Sequence, residues 1–247
     1  MNFPTTHWNL LAQADADGSV QSRKALETLC GHYWGPIHAF IRSRSIPDPE
    51  AQDLTQDFMV HLLQSSFFVR GDPLRGRFRS FLLGALVRFL ADAADRRAAL
   101  KRGGAQPHLS LDNPELAAVE EASCPPESAR IFDREWALTI LESAFERVQR
   151  DYTGPGRAEM FDTLKHFLLG TTAMPSYAEA ARDLGVSIAA LKTEVHRLRR
   201  RFRKLVRNEV AQTVSAPHEI EAELLHLRRV LTDPNCRWAR DVESKAA

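Results

Sequence analysis

The sequence is poor in the features that mark secreted proteins, membrane proteins and enzymes. The chain of 247 residues has three cysteines, Cys30, Cys124 and Cys236, and their wide spacing predicts neither a disulfide framework nor a zinc site. No apolar run is long enough to span a bilayer, and the N-terminus lacks the basic start and apolar core of a signal peptide. The nine histidines are scattered, and the motifs GxxxxGK[ST], HExxH and the nucleophile elbow are absent. These absences predict a cytoplasmic protein without a catalytic site, metal, cofactor or membrane partner.

The charges of the chain nearly cancel, but they are segregated along the sequence. There are 33 basic and 32 acidic residues, which give a net charge of +1. Residues 192–207 hold eight Lys or Arg and one acid, and residues 70–102 hold nine Lys or Arg and three Asp. A face of one charge sign repels itself unless a polyanion binds it. The two basic blocks therefore predict two contacts with nucleic acid.

Apolar residues recur every three or four positions, and strand-type alternation is absent, which predicts an all-α protein. Residues 103–128 are rich in Gly, Pro and acids, so that they bury too little apolar surface to fold alone. We therefore expect two helical domains, residues 1–102 and 129–214, joined by a flexible acidic linker at 103–128. A C-terminal extension, residues 215–247, follows the second domain.

The clearest local pattern is a helix-turn-helix in residues 175–207. Ser176 and Glu179 have the spacing of a capping box, Gly185 suits a turn with positive φ, and Ser187 can cap a second helix. The apolar face of that second helix consists of Ile188, Leu191, Val195, Leu198, Phe202 and Leu205. The opposite face is basic, which predicts insertion of the second helix into the major groove of DNA. For the motif alone, a structural helical hairpin with a solvated charged face is the alternative.

In combination, these segments resemble a bacterial RNA polymerase sigma factor of the extracytoplasmic-function type. Residues 51–63, AQDLTQDFMVHLL, resemble the region that binds the polymerase clamp helices. Residues 76–104 resemble the region that melts and reads the downstream promoter element, and residues 176–201 resemble the domain that reads the upstream element. The opening FPTTHWNL and the later LVRNEVAQTV are similar to a subgroup with a C-terminal extension. The resemblance implies a promoter-specificity subunit whose partners are core RNA polymerase and double-stranded promoter DNA.

The resemblance also implies roles for individual residues. Contacts with the upstream element are implied for Lys192, Thr193, His196, Arg197, Arg199, Arg200 and Arg201. The first four of these would face base edges, and the three consecutive arginines would hold phosphates. Contacts with the downstream element are implied for Arg77, Arg79, Arg88, Phe89, Arg96 and Arg97. The family usually has asparagine where this chain has Phe89. An acidic and polar face toward the polymerase is implied for Glu50, Asp53, Gln56 and Asp57.

Thr55 is a candidate site of regulation by phosphorylation. It lies between Asp53 and Asp57 in the segment that resembles the polymerase-binding region. Some related sigma factors are activated by phosphorylation at such a threonine, which makes a Ser/Thr kinase a hypothetical partner. A phosphate would add a charge of about −1.5 to −2 at the interface. The simpler interpretation is an ordinary residue on the helix surface. An anti-sigma factor is a further hypothetical partner.

A stand-alone helix-turn-helix regulator, which binds DNA without joining the polymerase, is the alternative function. Such regulators usually couple the motif to a sensor domain. Residues 1–100 show neither a cofactor fingerprint nor the alternating strands and helices of a receiver domain. Binding to core polymerase distinguishes the two functions.

Overall fold

The computed structural model describes His7 and residues 20–64, 77–101, 126–169 and 174–232. Within these ranges the backbone forms eight α-helices, one short 3-10 helix and no strand, which confirms the predicted all-α class. In chain order the helices are α1 Val20–Arg42, α2 Asp48–Gln64, α3 Phe78–Lys101, α4 Pro126–Arg150, α5 Arg157–Leu169, α6 Tyr177–Asp183, α7 Ile188–Gln212 and α8 Ile220–Thr232. The 3-10 helix Pro217–Glu219 immediately precedes α8. None of these helices combines the length and the apolarity needed to cross a bilayer.

The helices belong to two compact units. The first unit contains the described residues up to Trp136 together with Ala211–Glu223. The second unit contains Ala137–Val210 and the described residues from Leu224 onward. The chain therefore passes from one unit to the other within α4, near the end of α7 and within α8.

These units differ in extent from the domains expected from the sequence. Of the expected linker, residues 103–128, only the last three residues are described, and they form the first turn of α4. Residues 129–136, expected in the second domain, pack in the first unit. The physical reason is aromatic packing: Phe132 is fully buried, and its ring meets that of Phe40 edge to face with centroids 6.5 Å apart.

The core of the first unit consists of large side chains at helical spacing, which places them on one face of each helix. Its fully buried members on α1, α2 and α3 are Tyr33, Ile37, Phe40, Ile41, Phe58, Phe78, Leu82 and Leu86. Burial of each such side chain contributes roughly 1.5–3 kcal/mol before the entropy of ordering is subtracted. This packing leaves the opposite faces of α2 and α3 at the surface.

The second unit is built around α5 and the helix-turn-helix. The rings of Phe145 and Phe161 lie 5.4 Å apart, which ties α4 to α5. The rings of Phe167 and Tyr177 lie 4.6 Å apart, which ties α5 to α6. Helix α7 contributes Leu191, Val195 and Leu198 to the same core. The helix that is expected to read DNA therefore rests on a rigid apolar base.

Candidate nucleic-acid interface

The capping box predicted at the start of the helix-turn-helix is present. The backbone N–H of Glu179 donates to Oγ of Ser176 at 3.2 Å, and the backbone N–H of Ser176 donates to Oε2 of Glu179 at 2.9 Å. These hydrogen bonds with Ser176 hold the pKa of Glu179 below its ordinary value. Two N–H groups that the helix leaves without partners are thereby satisfied, which fixes the first residue of α6.

The turn between α6 and α7 is also set by local chemistry. Gly185 has φ of 65°, a left-handed conformation that glycine adopts without steric penalty. The N–H of Val186 donates to the carbonyl of Ala181 at 2.9 Å, and the N–H of Gly185 donates to that of Arg182 at 3.1 Å. This pair of bonds is the Schellman motif that ends many helices. The N–H of Ala190 then donates to Oγ of Ser187 at 3.2 Å, which caps α7 as predicted.

Helix α7, called the recognition helix below, has one buried face and one cationic face. The buried side chains are Leu191, Val195, Leu198, Leu205, Val206 and Val210. Ile188, which the apolar repeat places inward, is 45% exposed because it is the first residue of the helix and precedes the first buried turn. The basic side chains lie on the exposed side, as the sequence predicts.

Three members of the predicted DNA-reading set are engaged within their own unit. The guanidinium of Arg199 donates from Nη2 and Nε to the carbonyl of Phe167, at 2.8 and 3.2 Å. Arg201 pairs with Asp151 at 2.7 Å. Arg197 lies 3.4 Å from Glu194 on the preceding turn. Arg199 and Arg201 therefore contact other groups of their own unit, and their phosphate contacts stay a prediction.

The other predicted DNA-contacting residues of the recognition helix are exposed and form no ion pair with a described residue. Nζ of Lys192 lies 5.7 Å from the ring centroid of Tyr177, and Oγ1 of Thr193 donates to the carbonyl of Ala189 at 2.9 Å. His196 and Arg200 are exposed, and neither side chain has a polar partner in the part of the chain that the structure describes. The structure thus concentrates the available cationic surface on one stripe of the helix.

That stripe continues beyond the predicted set. Arg203 and Lys204 are exposed and follow Arg200 by three and four residues, which places them on the same face. Neither forms an ion pair or a hydrogen bond with another described residue. Helical spacing already predicts Lys204 on the basic face, and the i+3 spacing from Arg200 was the sequence signal that could have identified Arg203.

Glu194, the one acid of the basic block, has a structural role. It accepts a hydrogen bond from the hydroxyl of Tyr152 at 3.0 Å. Burial, and next the hydrogen bond with Glu194, raise the pKa of Tyr152 to about 12. Arg197 also forms an ion pair with Glu194, so the negative charge of Glu194 is balanced by Arg197 and does not neutralise the exposed stripe.

The predicted downstream set contains one residue that is buried in an ion-pair network. Arg79 is 5% exposed, and it donates from Nε to Glu223 at 2.6 Å and from Nη1 to Asp133 at 2.8 Å. Its guanidinium also lies 5.5 Å from the ring centroid of Trp136. Arg77 pairs with the same Glu223 at 2.9 Å. In this folded state Arg79 is an interior residue, so the sequence-based DNA contact is not available to it.

Phe89 corrects a second assignment in the downstream set. It is 6% exposed, and its ring lies 5.4 Å from that of Phe58 and 5.6 Å from that of His61. A ring held in this way cannot stack on an unpaired base. Burial, and next the charge of Arg96, lower the pKa of the neighbouring His61.

The remaining downstream residues lie along the second half of α3. Arg88 is partly buried, whereas Arg96 and Arg97 are exposed. Nε of Arg96 donates to the carbonyl of Asp92 at 3.2 Å, and Arg97 forms an ion pair with Glu50. Glu50 belongs to the predicted polymerase-binding set, so this surface pair joins the two expected interfaces.

Three of the four predicted polymerase-binding residues are exposed on α2, Glu50 is partly exposed, and Thr55, between them in sequence, is buried. Asp53, Gln56 and Asp57 are solvent-exposed, and Val60, one turn further, is 42% exposed. Thr55 is fully buried, and its Oγ1 donates to the carbonyl of Ala51 at 2.6 Å. Both interpretations of Thr55 are therefore corrected: it is not a surface residue, and a kinase could reach its hydroxyl only if α2 left its neighbours.

Neither a metal site nor a similar protein identifies a function for this chain. The described residues contain no group of three or more His, Cys, Asp or Glu side chains placed to hold a metal ion. Comparison with protein-family models, with curated protein sequences and with solved structures finds no match to this chain.

Proposed function

We propose that this protein is a promoter-specificity subunit, a sigma factor, which binds core RNA polymerase and directs transcription initiation by recognising two promoter elements. The observation that carries the proposal is the exposed stripe of His196, Arg200, Arg203 and Lys204 on the second helix of a fully capped helix-turn-helix. A rigid helix with such a stripe suits the major groove, where side chains reach base edges and phosphates. Such a subunit acts in the cytoplasm, where the polymerase is.

The polymerase part of the proposal is supported by the surface of α2. Asp53, Gln56 and Asp57 lie on one exposed face, and Val60 adds an apolar side chain at its end. Helix–helix interfaces commonly combine charged groups at the rim with apolar contacts at the centre. The sequence of this helix is also the part that resembles the polymerase-binding region of sigma factors.

A stand-alone DNA-binding regulator remains the second candidate, because the downstream set is smaller than the sequence implied. Arg79 and Phe89 are buried, which leaves Arg96 and Arg97 as its fully exposed members. A protein that bound DNA through the helix-turn-helix alone would not need further exposed residues in the downstream set. The two functions differ in whether free protein or polymerase-bound protein recognises a specific DNA sequence.

Reconstitution with purified core polymerase tests the proposal. The full chain should bind the core and direct transcription from a library of genomic fragments. The double variant Asp53→Arg and Asp57→Arg should abolish core binding, whereas Glu27→Arg, which changes an exposed acid on α1, should leave it intact. No binding of the wild-type chain to the core would refute the proposal. Specific binding of the free chain to an operator would establish the regulator instead.

A further inference from the structure

The segment Ala211–Glu223 packs in the first unit against the beginning of α3. The backbone N–H of Phe78 donates to the carbonyl of Thr213 at 3.0 Å, and Thr213 and Val214 are fully buried. The turn that follows is closed by Glu219, whose Oε2 accepts from the N–H groups of Ser215 and Ala216 at 2.9 and 3.0 Å. This turn starts α8 at a position that brings Glu223 to Arg77, just before α3, and to Arg79 in the first turn of α3.

Glu223 is the centre of the charged contact. It is 0% exposed, and each carboxylate oxygen lies beside a different arginine: Oε1 accepts a hydrogen bond from Nε of Arg79 at 2.6 Å, and Oε2 forms an ion pair with Nε of Arg77 at 2.9 Å. Arg79 also reaches Asp133. Burial, and next the negative charge of Glu223, raise the pKa of Tyr33 well above its ordinary value. A buried carboxylate of this kind is tolerated only because its charge is fully matched.

The two arginines belong to a segment whose composition calls for a polyanion. Residues 70–102 hold nine basic and three acidic side chains, so few acids near in sequence could neutralise them. The two acids that meet Arg79 instead come from far along the chain, Asp133 from 54 and Glu223 from 144 residues further on. A carboxylate and a phosphate offer arginine the same pair of oxygen acceptors. Glu223 therefore contacts the Nε groups of Arg77 and Arg79 with the kind of acceptor, a charged oxygen, that a phosphate also offers.

We propose that Ala211–Glu223 is an autoinhibitory latch: in the free protein Glu223 neutralises Arg77 and Arg79, and DNA binding by the start of α3 requires the latch to leave. The proposal rests on the proposed function, because it takes DNA as the polyanion that replaces the carboxylate. The latch begins at Ala211, in the last turn of the recognition helix. A promoter-specificity subunit with such a device would have low affinity for DNA until a partner or the correct DNA displaced the segment.

The variant Glu223→Gln tests the latch, with Glu221→Gln as the matched control. Glu221 is exposed on the same helix, so both variants lose one negative charge. Binding of a fluorescein-labelled duplex of random sequence is measured by anisotropy over a range of salt concentrations. Each new phosphate contact steepens the plot of log affinity against log salt by about 0.9. Glu223→Gln releases Arg77, whereas Arg79 keeps its ion pair with Asp133, so a four-fold rise in salt should weaken the variant about 3.5-fold more than wild type.

Glu221→Gln should keep the wild-type slope. Equal slopes for Glu223→Gln and wild type, or weaker binding by Glu223→Gln at low salt, would overturn the latch and leave Glu223 as a purely structural residue. If Glu223→Gln does not fold, hydrogen exchange of the Phe78 amide in the wild-type chain decides the matter. Exchange should accelerate when the same duplex is bound, and unchanged protection in the bound state would refute the latch.

Core-polymerase binding of the wild-type chain, measured in parallel, separates this proposal from the proposed function. A chain that binds the core but shows no change of slope in Glu223→Gln retains the proposed function and loses the latch. A chain that binds neither the core nor the duplex loses both.

Discussion

Arg199 and Arg200 are neighbours on the recognition helix, but their surroundings differ so much that replacing each by alanine should have opposite consequences. Arg200 faces solvent, with no polar partner among the described residues. Arg199 donates two hydrogen bonds to the carbonyl of Phe167, near the end of α5. We expect Arg200→Ala to weaken DNA binding at unchanged stability, and Arg199→Ala to lower stability with a smaller effect on DNA.

The magnitude for Arg199 follows from the groups that lose their partner. Phe167 lies in the last turn of Arg157–Leu169, where carbonyls have no N–H partner within the helix. Hydrogen bonds from a charged donor contribute about 1.5–3 kcal/mol, and a cation at a helix C-terminus adds about 0.3–1 kcal/mol. Because the residue is exposed, the lower end applies, and Arg199→Ala should lower the free energy of unfolding by about 1.5 kcal/mol.

The magnitude for Arg200 is electrostatic. Loss of one phosphate contact should reduce the slope of log affinity against log salt by about 0.9, and the free energy of unfolding should change by less than about 0.5 kcal/mol. Urea denaturation gives the stability, and anisotropy of a labelled duplex at several salt concentrations gives the slope. Each variant is the control for the other. If Arg199→Ala reduced the slope as much as Arg200→Ala and left stability intact, the division between supporting and DNA-facing arginines would be wrong.

Three further predictions follow from other contacts. Arg79→Met removes the guanidinium that joins Glu223 and Asp133 in the buried network, and only Arg77 still pairs with the buried carboxylate of Glu223. Urea denaturation should therefore show a loss of about 3 kcal/mol, against less than about 0.5 kcal/mol for the exposed Arg96→Met. A loss as small as that of Arg96→Met would contradict the buried network. Gly185→Ala should lower the free energy of unfolding by about 1 kcal/mol, because alanine is strained at φ of 65°. The added Cβ has open space around it, with nothing beyond the chain neighbours within 4 Å, so a loss several times larger would indicate a steric clash. The pKa of His61 in the folded protein is lowered from 6.5, so the contribution of His61 to stability is full above pH 6.5 and declines as the pH falls through the lower folded pKa. His61→Gln should flatten this decline of stability in urea titrations at a series of pH values. A decline as steep as that of wild type would assign the effect to other groups.

The sequence alone determined the helical class and the whole of the helix-turn-helix. The partners of Ser176, Gly185 and Ser187 lie within five residues of each of them, so the capping box, the turn and the second cap follow from spacing. The cationic face of the recognition helix is equally local, because helical periodicity alone sorts its residues into inner and outer faces.

Only the tertiary structure decided which polar and aromatic residues are available to a partner. The simpler interpretation placed Thr55 on the helix surface, and the family resemblance gave Phe89 a DNA contact, yet both side chains are buried, and the ring of Phe89 packs against that of Phe58. Arg79 stood among basic residues suited to DNA, and its matching acid, Glu223, lies 144 residues away. Periodicity specifies which side of a helix is apolar, but the identity of a partner distant in sequence depends on how the helices pack, because a guanidinium and a carboxylate carry no local signal of each other.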